Sequence, residues 1–424
     1  VTANVERIAD VPALFMGALM LAVFTVSVGF GVVLPLLPSL IERLLGTGVV
    51  AADVSRHTGF LTGVYTLALF LFAPVWGRLS DRLGRRNVLL AGLLGFGGTM
   101  LVFSFVERLT AVYAGRFLSG MFAAAVTPVA AAAISELTTT EHGRARRLAF
   151  VSMAGIAGFL LGPMLSVFIT RVSADVFAIT APAGSVALPL TATAALALVV
   201  ALVVAYAVPG GRHGDQSAKA SSALVDRTTS VVPRLLALTF IVSAGVGVFE
   251  VGLALRGKQA LGLTAYQVAL MFTECSLVMF VMQALVFSPW VKPGITRWLI
   301  PPALAVLSVG LFLVPYAGSF GMMLAVIGGV SSSAGILSPT LTYWISNKAG
   351  SAQGWELGKQ TAAASLGVTA GSAAGGLAFK LGDLPDPSFA VIAGLTVLGL
   401  LLSLGLPRAL VRRDLQHRAL VRES

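Results

Sequence analysis

The chain has 424 residues, 57% of them hydrophobic and only 11% charged, with a mean hydropathy of +0.91, which excludes an ordinary soluble globular domain. Its formal net charge of +11 is spread over short loops and the two ends rather than gathered in one patch, which excludes a nucleic-acid surface. With one cysteine, Cys275, and four histidines, an intrachain disulfide and a clustered metal site are excluded as well.

A membrane-spanning helix needs about 20 mostly apolar residues. Such runs occupy 14–37, 59–76, 88–106, 111–134, 148–169 and 186–208 in the first half, and 235–255, 266–286, 298–314, 320–345, 361–379 and 389–406 in the second. The expected fold is therefore an all-α membrane protein of twelve spans, in two six-helix sets. The first run is too long and too rich in Gly and Pro for a cleaved signal, so it is expected to remain. It holds no Asp or Glu, which argues against coupling through that helix and leaves facilitated diffusion open.

The loop after the second run reads Gly77-Arg-Leu-Ser-Asp81-Arg-Leu-Gly84-Arg85-Arg86. Glycine permits the tight turn, and an aspartate between the glycines can accept from a helix end or pair with an arginine. This loop resembles the signature loop of the major facilitator superfamily, at the place where that family carries it. The resemblance implies a transporter whose two pseudo-symmetric bundles rock about a central cavity. It implies that Asp81 helps latch the bundles on the cytoplasmic side, with Arg85 bridging to an acid such as Glu136 and Gly77, Gly84 and Arg86 shaping the same turn.

The fourth run opens Gly115-Arg116-Phe-Leu-Ser-Gly120, similar to that family's pattern in the corresponding helix. Arg116 lies about 8 Å from the outer end at about 1.5 Å per residue, where a charge is costly unless paired or wet; snorkelling to the interface is the competing reading. In the fifth run, Gly155-Ile-Ala-Gly158-Phe-Leu-Leu-Gly162-Pro163 resembles the helix pattern of the superfamily's drug and proton antiporters. Close helix packing through the glycines and a bend at Pro163 explain it equally.

The segment 209–233, rich in Gly, Ser and charge, reads as a cytoplasmic linker. It divides the chain into bundles 1–208 and 234–407, followed by a basic tail, 408–424. An offset of 213 residues superposes Gly158 on Gly371 and Gly162 on Gly375, consistent with duplication. Basic residues favour the loops on the side of Arg78, Arg82, Arg85, Arg86, Arg144 and the tail. Under the positive-inside rule both termini are then cytoplasmic, and the expected location is a bacterial inner membrane.

Beyond the linker, Glu250 in the seventh run and Glu274 in the eighth are, with Arg116, the ionisable residues well inside the spans. Charges at such depth are functional candidates, and carboxyls that are costly to ionise there suit proton carriage. Glu274 is expected to take up and release the proton, with Glu250 sharing that role or contacting substrate. An interfacial pairing of Glu250 with Arg256 and Lys258 is the alternative. Phe30, Tyr65, Phe249, Gln283, Ser332 and Ser338 are expected to line a large, mostly apolar cavity, Ser332 and Ser338 on a tenth run rich in Gly, Ser and Thr.

The tail sets Leu410, Val411, Leu415, Leu420 and Val421 among arginines and is expected to lie on anionic lipid at the inner leaflet. No phosphate-binding Gly-Lys loop is present, so no nucleotide or other cofactor is expected, and the energy source is a proton gradient. The reading is a non-enzyme: a monomeric secondary transporter exporting hydrophobic or amphipathic, cation-bearing small molecules in exchange for protons. Uptake or facilitated diffusion of a small metabolite stands as the alternative, and a non-transporting receptor or scaffold as the reading from another class.

Overall fold

The computed structural model describes residues 13–46, 50–138, 141–177, 187–209, 231–286, 291, 293–348, 353–379, 386–408 and 410. Most of the linker and nearly all of the basic tail lie outside the described residues. Every regular element among those described is helical. Hydrocarbon offers no hydrogen bonds to a backbone, so an apolar run must satisfy its own peptide groups.

Helix α1 (Ala13–Val33) passes through a tight turn at Leu34–Leu36 into α2 (Leu37–Leu45). Pro35 and Pro38 fall at this junction and withhold two backbone donors, which changes the winding there. Helices α3 (Ala51–Leu83) and α4 (Arg85–Phe103) are separated by Gly84 alone, at φ +87°. That left-handed value is open to glycine and costly for other residues. The first part of the chain is completed by α5 (Leu109–Ala123), α6 (Val126–Leu137), α7 (Glu141–Phe177) and α8 (Ala187–Ala207).

Helix α9 (Val231–Leu255) ends in a widened turn, Arg256–Ala260. It is followed by α10 (Ala265–Val286), α11 (Thr296–Leu313), α12 (Phe320–Lys348), α13 (Gln353–Leu377) and α14 (Pro387–Ser403).

Ten helical stretches among the described residues are long and apolar enough to cross a membrane, and Phe150–Ser166 within α7 is a shorter apolar helix. The expected fifth and eleventh spans fall on α7 and α13, which are not among the ten. Both are rich in glycine, and packing accounts for the glycines. A Cβ on Gly158 would overlap the Phe24 carbonyl of α1, and one on Gly162 would sit 2.8 Å from the Val28 carbonyl. In α13 the corresponding close approach is to α9: a Cβ on Gly367 would be 2.5 Å from the Phe240 carbonyl, and one on Gly371 would overlap that of Ala244. The glycines that the 213-residue offset superposes thus hold α7 to α1 and α13 to α9.

Before the linker, α1 packs on α7 and α8, α4 on α5 and α8, and α3 on α5. After it, α9 packs on α13 and α14, and α12 on α10 and α11. Two helix pairs, α3 with α13 and α7 with α10, carry most of the contact between these sets. In the first pair the backbones nearly touch, since a Cβ on Gly59 would lie 2.7 Å from the Gly376 Cα.

Candidate functional site

Arg116 on α5 is fully buried, so it does not snorkel to an interface. Its Nε donates to the Leu61 carbonyl of α3 at 3.3 Å. The guanidinium carbon stands 4.5 Å from the Tyr65 ring centroid and 5.6 Å from that of Phe30, an arrangement worth about 0.5–2 kcal/mol. The rings continue as a chain. Phe30 stacks on Tyr65 at 5.0 Å and on Phe159 at 5.7 Å, and Phe159 meets Phe272 of α10 edge-on at 6.4 Å.

Within electrostatic reach of Arg116 lies Glu250 of α9, from beyond the linker. Arg116 Nη1 and Nη2 and Glu250 Oε2 are all buried and have no hydrogen-bond partner among the described residues. An arginine and a carboxyl group from the two parts of the chain therefore lie within electrostatic reach of each other in an apolar interior without closing a direct bond. The interfacial alternative for Glu250 is not realised. Arg256 pairs instead with Asp386 at 2.7 Å and donates to the Ala317 carbonyl at 3.2 Å, and Lys258 pairs with Glu42.

Glu274 stands elsewhere, midway along α10 on the helical stripe that carries Leu277, Val281 and Leu285. Its carboxylate leans on α12, with Oε1 3.9 Å from the place of a Gly328 Cβ. Cys275, the neighbouring residue, is buried and lies within electrostatic reach of both Glu250 and Glu274.

Of the expected cavity residues, Phe30 and Tyr65 wrap the arginine, and Phe249 is buried. Gln283 donates to Ser152 of α7 at 3.3 Å, Ser332 donates to its own helix at the Gly328 carbonyl at 2.7 Å, and Ser338 is exposed.

In the signature loop, Arg85 pairs with Asp81 at 2.7 Å and also with Ser80. Asp81 is itself largely exposed and, among the described residues, bonds to no helix beyond the linker. Arg86 is partly buried in the same turn, and nothing crowds Gly77. The side chain of Glu136, the expected partner of Arg85, lies outside the described residues.

Sequence reading missed the contacts that join the two parts at the opposite end of the helices. Lys258 donates to Ser39 at 2.8 Å and pairs with Glu42, and Gln259 bonds to Ser55 and to the Ala51 carbonyl. Deeper in, the hydroxyls of Thr66 and Thr369 are 2.9 Å apart. Lys258, Gln259, Ser39, Glu42 and Ser55 lie near helix ends, where polar side chains are ordinary, and Thr66 and Thr369 are single threonines within helices, so no local signal distinguished them.

The sequence matches the Major Facilitator Superfamily over residues 19–356. It is 27% identical over 368 residues to "Multidrug resistance protein 2" of Bacillus subtilis, covering 85% of this chain and 87% of that protein. It is 22% identical over 402 residues to the "Quinolone resistance protein NorA" of Staphylococcus aureus, covering 95% and 97%. Among solved structures, that of the human organic anion transporter MFSD10 superposes with a TM-score of 0.70 at 19% identity, over 92% of this chain and 99% of the other.

Proposed function

This chain belongs to the Major Facilitator Superfamily, a family of transporters rather than enzymes, and on that footing we propose that it exports hydrophobic or amphipathic, cation-bearing small molecules in exchange for protons. Twelve helices, α7 and α13 included, form two six-helix bundles about the linker. The end carrying Asp81 faces the cytoplasm of a bacterial cell. The names of the full-length relatives, a multidrug and a quinolone resistance protein, support efflux as the direction.

The pairing of Arg116 with Glu250 carries this reading. An ionised Glu250 attracts Arg116 across the two bundles, and low polarity keeps that attraction strong. A proton on Glu250 cancels it, and so does a substrate cation. Either ligand frees the bundles to swing, whereas the empty carrier stays held. Because both compete for one carboxylate, outward passage of one is exchanged for inward passage of the other. The bonds of Lys258 and Gln259 close the Glu42 end, and among the described residues Asp81 is paired only within its own turn. We therefore read the conformation as the one open towards the cytoplasm.

The test is flux in proteoliposomes of the purified chain, with tetraphenylphosphonium as probe and an imposed pH gradient. Uphill movement by the wild type and its loss in Glu250→Gln are expected. Equal uphill accumulation by Glu250→Gln would remove the coupling role, and flux indifferent to the gradient would favour facilitated diffusion.

A further inference from the structure

Glu274 is not part of the arrangement around Arg116. Helix α10 meets its neighbours through other faces: Phe272 and Gln283 contact α7, while Met279 and Met282 lie against Gly335 of α12. The stripe at three- and four-residue spacing from Glu274 holds Leu277, Val281 and Leu285, which are 49%, 45% and 49% exposed. In a membrane-spanning helix, such a stripe of half-exposed aliphatic residues suits a surface turned to hydrocarbon.

A carboxylate on that surface is costly, yet no basic side chain among the described residues pairs with it, and its Oε2 is buried without a hydrogen-bond partner. Beside it Gly328 of α12 has room for an added Cβ, with Glu274 Oε1 at 3.9 Å the one atom within 4 Å, and the Ser332 hydroxyl, one turn on, is turned back to its own helix.

We propose that Glu274 and the cleft at Gly328 form a membrane-side recognition site for the cationic head of an amphipathic substrate, which reaches the protein from within the bilayer. The proposal rests on the transport reading above and names the route and substrate class. The charge complementarity is direct: an unpaired carboxylate in hydrocarbon attracts a delocalised or alkylated cation that itself partitions into lipid. A strongly hydrated cation cannot follow it there. Aliphatic residues along the same stripe accommodate the apolar part of the ligand.

The experiment uses the full chain in lipid nanodiscs, with tetraphenylphosphonium as lipophilic cation, triphenylphosphine oxide as its neutral counterpart and tetramethylammonium as a hydrated cation. Glu274→Gln should weaken tetraphenylphosphonium binding by about tenfold, the scale of one lost charge pair in a poorly solvated site. Triphenylphosphine oxide should bind equally to both, and tetramethylammonium to neither. Gly328→Leu, which fills the cleft and retains the charge, should weaken the same ligand.

Separately, the added fluorescence of Leu277→Trp should be quenched by lipids brominated on the acyl chain rather than by aqueous iodide. Unchanged tetraphenylphosphonium binding in Glu274→Gln, equal losses for the neutral compound, or iodide quenching at position 277 would each overturn the proposal. If the wild type binds no compound of the panel in nanodiscs and moves none in the proteoliposome flux assay, the transport reading falls, whatever position 277 reports. If it moves them and Glu274→Gln behaves as wild type, only the membrane-side site falls.

Discussion

Arg116 and Glu250 face each other from opposite sides of the linker, the arginine cupped by Tyr65 and Phe30 and both charges lacking a direct polar partner on their buried terminal atoms. Removing one charge leaves the other uncompensated in an apolar interior, whereas removing both does not. Arg116→Gln is expected to lower stability by about 2–4 kcal/mol. Arg116→Gln combined with Glu250→Gln should recover a good part of that while remaining uncoupled. Thermal unfolding of the purified variants in detergent checks this, and strict additivity of the two losses would show that the charges do not interact.

The close approach of α7 to α1 depends on the absence of a side chain at Gly158. Gly158→Ala places a methyl group against the Phe24 carbonyl and should destabilise by about 1–3 kcal/mol. Gly371→Ala should do the same between α13 and α9. Gly98→Ala, where nothing lies within 4 Å of the added carbon, should be neutral or slightly stabilising, since alanine is the better helix former. A melting-temperature series on the three proteins decides the point.

Closure at the Glu42 end uses an ion pair that is partly exposed on both sides. Such pairs are worth about 0.2–1 kcal/mol, so Lys258→Glu should shift the conformational equilibrium towards opening at that end by a few-fold rather than abolish closure. Glu42→Lys in the same molecule should restore the wild-type distribution. Spin labels on α2 and on the Arg256–Ala260 turn, read as a distance distribution, would report the shift.

The neighbouring pair is of another kind. Arg256 and Asp386 are both nearly buried, and Asp386 begins α14 at φ +49°, a conformation that aspartate tolerates better than most residues. Asp386→Ala strands the arginine and should cost about 3–5 kcal/mol. Asp386→Asn keeps the backbone preference and one acceptor, so its loss should be smaller. Expression level and thermal unfolding separate the two, and equal losses would mean that the charge, not backbone conformation, matters there.

Local information sufficed for much of the fold. Apolar runs, Gly84 between two helices, the Asp81 turn and the glycines of α7 are legible one segment at a time, because each reflects what its own stretch of backbone requires. That Arg116, Glu250 and Glu274 fall within helices was equally readable. Their direction around the helix axis was not. Sequence reading therefore could not say which neighbours each would meet, whereas the fold brings Glu250 within reach of Arg116 and lays Glu274 against Gly328 of α12.

What the sequence determined by itself was the solvent, the helices and the residues that would be expensive within them. Which of those residues meet was decided by tertiary structure alone: Arg116 with Glu250, Lys258 with Glu42, Arg256 with Asp386. The physical reason is that lipid and protein interior are both apolar. A helix in water advertises its buried face by contrast with a polar one, but a helix in a bilayer is greasy all round, and the contacts that orient it appear only once its neighbours are in place.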